Sequence, residues 1–439
     1  MTLIELSPPA SQTDRLATLP VVVIGAGPVG LAAAAQLIER GIDVVVLERG
    51  SHIAESVRAW GHVRLFSPWR HLVDPAARRM LEAAGWQHPD PDAAPTGAEL
   101  VEQYLEPLAR LDAIAAVVRL DVDVVAVARE GMDRTRTRGR AAVPFAVRVR
   151  GADGVVDELP ARAVIDASGT FTSPNPLTSS GLELLGADEV SDLVTGPLPD
   201  VRGAERARFA GRRVTVVGAG HSAANTLLAL VELAREAPGT EVRWLIRNTR
   251  AARVTTSPDD ELVDRAALGS RLEAAVARGD VERIEGFEIV RARRVDGAVE
   301  LVGRQGDALV THTADIVVGA TGFRPDLGML RELRLELDDI VEAPRRLAPL
   351  IDPNVHSCGT VEPHGYRELQ HPEPGFFVVG MKSYGRAPTF LLATGYEQVR
   401  SVAALIAGDA QAAASVELVL PATGVCSTGD AGGQGGCCA

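Results

Sequence analysis

Short runs of β-branched residues alternate along this chain with longer apolar runs of helical period. Residues 21–24 read VVVI, an alanine-rich helical segment follows, and a second strand is predicted at 43–47. Residues 20–50 therefore form a strand–helix–strand unit, and the same plan returns at 211–247. The pattern predicts the α/β fold class, with two Rossmann-like units of three layers.

Each unit is followed by a meander of strands and then by a return strand. After the first unit, a strand at 120–127 precedes a hairpin that turns at the GADG segment 151–154. The return strands, predicted at 161–166 and 314–318, lead into Ala-Ser-Gly and Ala-Thr-Gly. This repetition indicates an internal duplication.

The chain is expected to leave the first unit and to come back to it. Residues 52–115 form a largely helical insertion, and a strand at 376–380 with a helix at about 389–406 completes the first unit. The expected division is a loose lead at 1–18, a discontinuous first domain at 19–205 and 325–420, an inserted second domain at 206–324, and a flexible tail at 421–439.

A glycine-rich turn follows the first strand of each unit. The first turn reads GAGPVG and the second reads GAGHSA. In this signature the first glycine permits the tight turn, the second lets the backbone approach a pyrophosphate, and the third lets helix and strand pack closely. The N–H groups at the helix start then bind the diphosphate. The candidate cofactor contacts in the two turns are Gly25, Gly27, Pro28, Val29, Gly30, Gly218, Gly220, His221, Ser222 and Ala223.

The residues that follow the second strand of each unit differ in charge. Glu48 and Arg49 follow the first, whereas Arg247 and Asn248 follow the second. A carboxylate accepts hydrogen bonds from ribose hydroxyls, which suits FAD or NAD, and a guanidinium pairs with an additional 2′-phosphate. The alternative for Arg247 is a solvated charge at a strand end. We therefore expect two different dinucleotides, with NADPH at the second site.

Length and composition exclude several classes of function. A chain of 439 residues suits two or three domains, and its formal net charge of −13 argues against nucleic acid or an anionic membrane surface as a partner. Four cysteines do not make a disulfide framework in a chain of this length. No signal peptide or membrane span is visible, so the expected location is the cytoplasm.

The motifs resemble those of the two-dinucleotide-binding-domain flavoproteins, especially the flavin-containing monooxygenase-like branch, over about residues 20–410. The resemblance implies FAD at the first turn and NADPH at the second, in a domain inserted into the FAD domain. It also implies cofactor contacts at the adenine, at the crossings between the domains and around the flavin. These are Val125, Ser168, Gly169, Thr321, Gly322, Gly380 and Thr389.

Two departures from the known branches matter. The F-x-G-x-x-x-H fingerprint of flavin-containing monooxygenases has no match, because residues 196–200 read GPLPD. The C-x₄-C pair of dithiol reductases is also missing, since residues 51–69 contain no cysteine, and Met381 stands where those reductases usually place an aspartate. No redox-active disulfide can therefore lie against the flavin at that position.

A flavin beside NADPH, without a protein disulfide, must pass its electrons to oxygen, a quinone or a small molecule. We expect a monooxygenase-like reaction of molecular oxygen with a small soft nucleophile, in a protein that could form a homodimer. Candidate catalytic residues come from the segments expected near the flavin ring, and each could equally be a structural loop residue. They are Arg64, Trp69, Lys382, Tyr384 and Arg386.

The tail carries Cys426 and the adjacent pair Cys437 and Cys438, and Cys358 is a further thiol. Adjacent thiols on a mobile arm chelate soft metal and metalloid ions. The ending resembles the vicinal-cysteine tail of mercuric reductases, and the chain is similar to flavoproteins found with arsenic-resistance genes. The alternative is an incidental tail.

Three functions stay open on the sequence. We favour an FAD- and NADPH-dependent monooxygenase that acts on a small sulfur or arsenic compound. The second is an NADPH-dependent reductase that delivers electrons to a thiol-bound metal or metalloid through the tail. The third is a redox-sensing or metalloid-binding flavoprotein without appreciable turnover.

Overall fold

The computed structural model describes residues 12–248, 263–352, 363–387 and 390–418. The strands are β1 Val21–Ile24, β2 Val44–Leu47, β3 Val118–Arg119, β4 Val122–Arg129, β5 Phe145–Gly151, β6 Val156–Ala161, β7 Ala163–Asp166, β8 Val194–Thr195, β9 Arg213–Val217, β10 Glu241–Leu245, β11 Glu282–Ile284, β12 Phe287–Val295, β13 Ala298–Gln305, β14 Ala308–Ala314, β15 Ile316–Gly319 and β16 Phe376–Val378.

The helices are α1 Gln12–Ala17, α2 Pro28–Glu39, α3 Glu55–Ala59, α4 Pro75–Ala83, α5 Gly97–Leu100, α6 Glu106–Ala109, α7 Asp112–Ala115, α8 Arg206–Phe209, α9 His221–Glu236, α10 Val263–Ala277, α11 Ala348–Ile351, α12 Tyr366–Leu369, α13 Leu392–Ile406 and α14 Ala410–Ala414. A π-helical turn at Val101–Leu105 joins α5 to α6, and a 3₁₀ turn at Gly380–Tyr384 follows β16.

Two five-stranded parallel sheets form the centre of the molecule. Their orders are β16-β7-β1-β2-β3 and β11-β10-β9-β15-β8. In the first sheet, Val21 pairs with Val44 on one side and with Ala163 on the other. All four residues of β1 are buried, as expected for a parallel strand covered on both faces. These sheets confirm the predicted α/β class with two Rossmann-like domains.

Each parallel sheet is accompanied by a three-stranded antiparallel sheet, β4-β5-β6 in the first half and β12-β13-β14 in the second. The turn of the first hairpin lies where Gly154 has φ +79° and the amide of Gly151 donates to the carbonyl of Val155. The return strand predicted at 314–318 corresponds to β15, and the structure has a further strand, β14, just before it that the sequence did not predict. Strand β14 is mostly exposed, so it lacks the apolar alternation that marks a strand.

The chain returns to the first sheet after it has built the second. Strand β16 pairs in parallel with β7, and Phe377 is opposite Ile165. The two-residue strand β8 pairs with β15 in the second sheet, although the sequence placed residues up to 205 in the first domain. A strand of two residues carries no periodic signal, so its sheet could not be read from the pattern.

A buried polar cluster joins the helical insertion to the first Rossmann unit. Asp74 caps α4, because its Oδ1 accepts from the amides of Ala76 and Ala77, both at 2.9 Å. Its Oδ2 accepts from Nε2 of Gln36 on α2, also at 2.9 Å. Burial raises the pKa of Asp74 to about 6, since these hydrogen bonds only partly offset the loss of solvent around the charge.

This raised pKa predicts a pH-dependent stability. The folded protein holds the Asp74 proton more tightly than the unfolded chain, so the contribution is complete below pH 3.8 and is lost as pH rises through 6. Between pH 8 and pH 5, we expect Asp74 to add about 1–2 kcal/mol to the free energy of unfolding. Urea denaturation at both values should show this increment in the parent and not in Asp74→Asn. The exposed control Asp339→Asn should keep the parent's rise in the free energy of unfolding. The same rise in Asp74→Asn would contradict the assignment.

Candidate functional site

The first glycine turn has the geometry that its sequence predicts. Gly25 has φ +97°, a region that favours glycine, and α2 begins after Gly27 with Pro28 in its first turn. A Cβ atom on Gly30 would lie 1.9 Å from the carbonyl oxygen of Gly25, so helix and turn pack too closely for any side chain. A Cβ on Gly27 would meet nothing within 4 Å. The middle glycine is therefore the one that faces open space.

The second turn repeats this arrangement with one change. Gly218 has φ +131°, and a Cβ there would lie 2.1 Å from the carbonyl oxygen of Ala320. Gly220 is open in the same way as Gly27. Ala223 replaces the third glycine and is fully buried in the core of the second domain. The methyl group is accommodated by that core and does not reach the open side of the turn.

One cavity of about 2210 Å³ is lined by both turns. This is more than twice the upper end of the roughly 300–1,000 Å³ found for typical small-molecule sites, so it has room for two ligands. Of the predicted cofactor contacts, it is lined by Gly25, Gly27, Pro28, Val29, Glu48, Arg49, Ser168, Gly169, Gly218, Gly220, His221, Ser222, Arg247, Asn248, Thr321, Gly322 and Gly380. Of the catalytic candidates, Lys382 and Arg386 also line it.

Three catalytic candidates lie away from the cavity wall. Trp69 is 3% exposed and belongs to the core of the first domain, where an aromatic ring serves packing. Tyr384 is also buried, in ring contact with His364 and Phe390, and burial raises the pKa of its hydroxyl. Arg64 is largely exposed and donates to the carbonyl of Ala94. Position along the sequence therefore does not predict which side chains of these segments face the cavity.

Val125, which is predicted to contact the adenine, is not among the residues that line the cavity. Val125 lies at an irregularity in the pairing of β4 with β5, and its neighbours 122–124 line the cavity. The bulge re-aims the side chains, which a sequence pattern cannot show. Thr389 lies outside the described residues, as do Cys358, Cys426 and the pair at 437–438.

The two charged residues at the strand ends have different surroundings. Glu48 accepts from the amide of Ala26 at 2.7 Å and from the amide of Gly50 at 2.8 Å. Its carboxylate is thereby fixed beside the glycine turn, and each oxygen keeps a further lone pair for a ligand hydroxyl. Arg247 is exposed, and its Nη1 lies 3.4 Å from the carbonyl oxygen of Ser179. Among the described residues, Ser179 is the hydrogen-bond partner of this side chain, and Arg247 lines the cavity.

A buried ion pair lies beside the cavity at the ends of β7 and β16. The Nζ of Lys382 is 2.7 Å from Oδ2 of Asp166 and 3.0 Å from Oγ of Ser168. The Ser168 hydroxyl in turn donates to Oδ1 of Asp166 at 2.6 Å. The side chains of Lys382 and Asp166 are 1% and 0% exposed. These contacts hold the ammonium group in a single position.

The two segments that connect the domains are hydrogen-bonded to each other. The amide of Asn175 donates to the carbonyl of Gly322, and the amide of Arg324 donates to the carbonyl of Ser173, both at 2.9 Å. The hydroxyl of Thr321 donates to the carbonyl of Asn175 at 2.7 Å. The first segment lines the cavity, which the sequence pattern does not predict. Its only signal was the Ser-Pro-Asn-Pro stretch at 173–176, which is typical of an ordinary loop.

The helical insertion reaches the second glycine turn. The ring of Phe66 lies 5.3 Å from the ring of His221, the first residue of α9, and Phe66 packs against the core of the second domain. Trp60 and Leu65 line the cavity from the same insertion. The insertion therefore contributes to the wall beside both predicted dinucleotide sites.

Within residues 12–248, 263–352, 363–387 and 390–418, no group of three His, Cys, Asp or Glu side chains is arranged to hold a metal ion. In the same part of the chain, every helix is too short or too polar to cross a membrane.

Residues 22–138 and 152–357 match the sequence model of the pyridine nucleotide-disulphide oxidoreductase family. The chain is 28% identical to the flavin-containing monooxygenase FMO GS-OX-like 2 of Arabidopsis thaliana, over 52% of its own length and 50% of the relative. It thus spans about half the length of that relative. It is 27% identical to a ferredoxin–NADP reductase of Granulibacter bethesdensis, over 82% of this chain and 87% of the relative.

Among solved structures, the bacillithiol disulfide reductase Bdr of Bacillus cereus is similar, with a TM-score of 0.65 and 20% identity. The superposition covers 89% of this chain and 99% of that one, and it shows a shared fold. Both glycine turns lie within the residues that match the family. The chain therefore belongs to the pyridine nucleotide-disulphide oxidoreductase family of flavin-dependent oxidoreductases, whose members bind FAD and NADPH.

Proposed function

We propose that this protein is an FAD-dependent, NADPH-using monooxygenase that oxygenates a small soft nucleophile, such as a sulfur or arsenic compound. The observation that carries the proposal is the single cavity lined by both glycine turns, by Glu48 and by Arg247. A shared cavity supports the proposal because hydride transfer would require the nicotinamide and the flavin to lie side by side.

The first site fits FAD. The open face of Gly27 and the N–H groups at the start of α2 suit a diphosphate, and Glu48 offers carboxylate oxygens to ribose hydroxyls. From this turn, the edge of the sheet continues over Ser168 and Gly169 to Gly380, all of which line the cavity. Those residues would hold the flavin half of the molecule.

The second site fits NADPH. Gly220 is open to the diphosphate, and the exposed guanidinium of Arg247 suits the 2′-phosphate, with Asn248 beside it in the wall. Thr321 and Gly322, at the crossing between the domains, would lie between the two cofactors. FAD supplies the oxygen chemistry when bound, and the protein orients it against the nicotinamide and excludes water.

The wall of the cavity favours a diffusible electron acceptor over a protein disulfide. The insertion lines the cavity with residues 54–60 and Leu65, and the sequence has no cysteine between residues 51 and 69. Apolar side chains, among them Phe390 and Leu392 at the start of α13, line another part of the wall. Such a surface suits a small, weakly polar substrate.

The test is oxygen incorporation. The purified holoenzyme is supplied with NADPH, ¹⁸O₂ and either thioanisole or a trivalent methylated arsenical. The proposal expects one labelled oxygen atom in the oxidised product for each NADPH consumed, and no product under argon. NADPH oxidation that yields only hydrogen peroxide with every soft nucleophile offered would contradict it.

A reductase is the second candidate, because the alignment with the ferredoxin–NADP reductase covers most of both chains. In that case NADPH oxidation would continue anaerobically with a disulfide, ferredoxin or thiol-bound metalloid as the acceptor. Loss of this anaerobic turnover in the variant that carries both Cys437→Ser and Cys438→Ser would assign the electron transfer to the tail thiols.

The choice of nucleotide should depend on Arg247. Replacing it with glutamine removes a charge-assisted contact to the 2′-phosphate, which is worth about 1.5–3 kcal/mol. We therefore expect the Kd for NADPH to rise about 10- to 100-fold while the Kd for NADH changes little. Arg202→Gln is the matched control, because Arg202 is an exposed arginine that pairs with Glu232 and Glu236. An equal rise in the Kd for NADPH and the Kd for NADH would contradict the assigned role.

A further inference from the structure

Lys382 is the only lysine in a chain whose lysine and arginine residues number 45 in total. All other basic side chains except the histidines are arginines. The one ammonium side chain is also one of the most enclosed, since it is 1% exposed and faces the equally buried Asp166. A sequence that uses arginine everywhere else has a lysine at one buried position beside the cavity.

The geometry explains why arginine would not serve there. An ammonium group has three N–H donors on a compact centre, whereas a guanidinium is a planar fork with five. Lys382 directs one donor to Oδ2 of Asp166 at 2.7 Å and one to Oγ of Ser168 at 3.0 Å. Within the part of the chain that the structure describes, the third donor has no protein acceptor, and the residue lines the cavity.

The position of Lys382 along the sheet indicates what this donor meets. Strands β1, β7 and β16 are neighbours, and their carboxyl ends lie at one edge of the sheet. A dinucleotide whose ribose lies at Glu48 and whose diphosphate lies at the turn after β1 continues along this edge past the ends of β7 and β16. Ser168 lies two residues after the end of β7, and Lys382 lies in the 3₁₀ turn that follows β16. The flavin half of FAD would therefore pass the ammonium group.

We propose, on the basis of the function proposed above, that Lys382 is a positioning residue for the flavin half of FAD. Anchored by Asp166 and Ser168, its ammonium group donates its third hydrogen bond to a lone pair of that half. The acceptor is either a ribityl hydroxyl or an oxygen or nitrogen atom of the isoalloxazine ring. A charge-assisted bond of this kind fixes the ligand more firmly than a neutral one.

The single lysine makes a direct test possible. Full-length protein grown with lysine labelled with ¹⁵N at the ε-nitrogen gives one side-chain resonance, which needs no assignment. We expect this resonance to shift when FAD is added to the apoprotein, and its ammonium protons to exchange more slowly with water. Anaerobic reduction with dithionite distinguishes the acceptors: a ring acceptor moves the resonance again, and a ribityl acceptor leaves it in place. An unchanged resonance and exchange rate on FAD binding would overturn the proposal.

Variants provide a second readout, FAD affinity. Lys382→Arg should raise the Kd for FAD roughly tenfold to a hundredfold. If this variant does not fold, the double variant Asp166→Asn, Lys382→Met removes both buried charges together. It should raise the Kd for FAD to a similar degree. Arg400→Lys is the matched control, because Arg400 and Glu397 form another buried ion pair, on α13. Its Kd for FAD should stay within about twofold of the parent.

The outcomes separate this proposal from the one on which it rests. A parent protein that binds no FAD would refute the proposed function itself. A parent that binds FAD, together with a folded Lys382→Arg or double variant of unchanged FAD affinity, would refute only the role of Lys382.

Discussion

Replacing Gly30 with alanine is expected to abolish tight FAD binding. The new Cβ would lie 1.9 Å from the carbonyl oxygen of Gly25 and 3.0 Å from its carbonyl carbon, and both are backbone atoms that no side-chain rotation can move. The turn must therefore open, which separates the N–H groups that would bind the diphosphate. Loss of two such bonds to a charged group, each worth about 1.5–3 kcal/mol, weakens binding by more than about 100-fold. The variant should be purified without flavin absorbance.

Gly27→Ala is the matched variant in the same turn. Its Cβ would meet no protein atom within 4 Å, and its backbone is extended, so we expect the parent's thermal unfolding midpoint. The methyl group would nevertheless occupy the face that the diphosphate approaches, so the affinity for FAD should fall without loss of fold. Titration of both apoproteins with FAD and thermal unfolding test the pair. Parent-like FAD affinity in a folded Gly30→Ala or Gly27→Ala protein would refute the assigned role of the turn.

Replacing Glu373 with glutamine is expected to destabilise the protein by about 3–5 kcal/mol. Its Oε1 accepts from Nε of Arg129 and its Oε2 from Nη2 of Arg140, both at 2.8 Å. The three side chains are 0%, 1% and 4% exposed, so the change would leave two guanidinium groups without a buried counter-charge. Burial pushes the pKa of Glu373 upward, but the arginine hydrogen bonds outweigh it and hold the pKa below its usual range.

This cluster connects parts of the chain that are far apart in sequence. Arg129 ends β4, Arg140 lies in the segment before β5, and Glu373 precedes β16. Loss of the carboxylate should therefore affect the return of the chain to the first sheet. Urea denaturation at pH 7 measures the effect, and Glu158→Gln, at an exposed pair with Arg148, is the control. If Glu373→Gln lowers the free energy of unfolding by less than about 1 kcal/mol, the two buried arginines do not depend on this carboxylate, and the prediction is wrong.

The fold was largely predictable because its strongest elements carry local signals. The glycine turns and the β-branched strands before them are short-range patterns, and the structure has β1 and β9 at those places. Elements whose existence depends on distant partners were missed. Strand β3 is a two-residue strand that exists only by pairing with β2, and β14 is an exposed edge strand.

The site was predictable where backbone geometry dictates the residue and less so where packing decides. Glycines with positive φ and charges at strand ends line the cavity, and their contacts with the cofactors stay a prediction. For Trp69 and Tyr384, packing in the core of the first domain decides where the side chain points, and the sequence pattern carries no sign of that direction. Asn175 carried no signal of its own, because its place follows from the pairing of two segments about 150 residues apart.

That pairing of the connecting segments limits how the second domain can move. Two connecting segments without hydrogen bonds between them would allow the second domain to twist as well as to rotate as a hinge. Here the hydrogen bonds of Asn175 to Gly322 and of Arg324 to Ser173 hold the two connecting segments side by side, so we expect them to bend together as a two-stranded hinge. Such a hinge resists twisting, so we expect the second domain to move mainly by rotation about a single axis across the hinge. A nicotinamide carried by such a domain would return to the flavin along the same arc in every catalytic cycle.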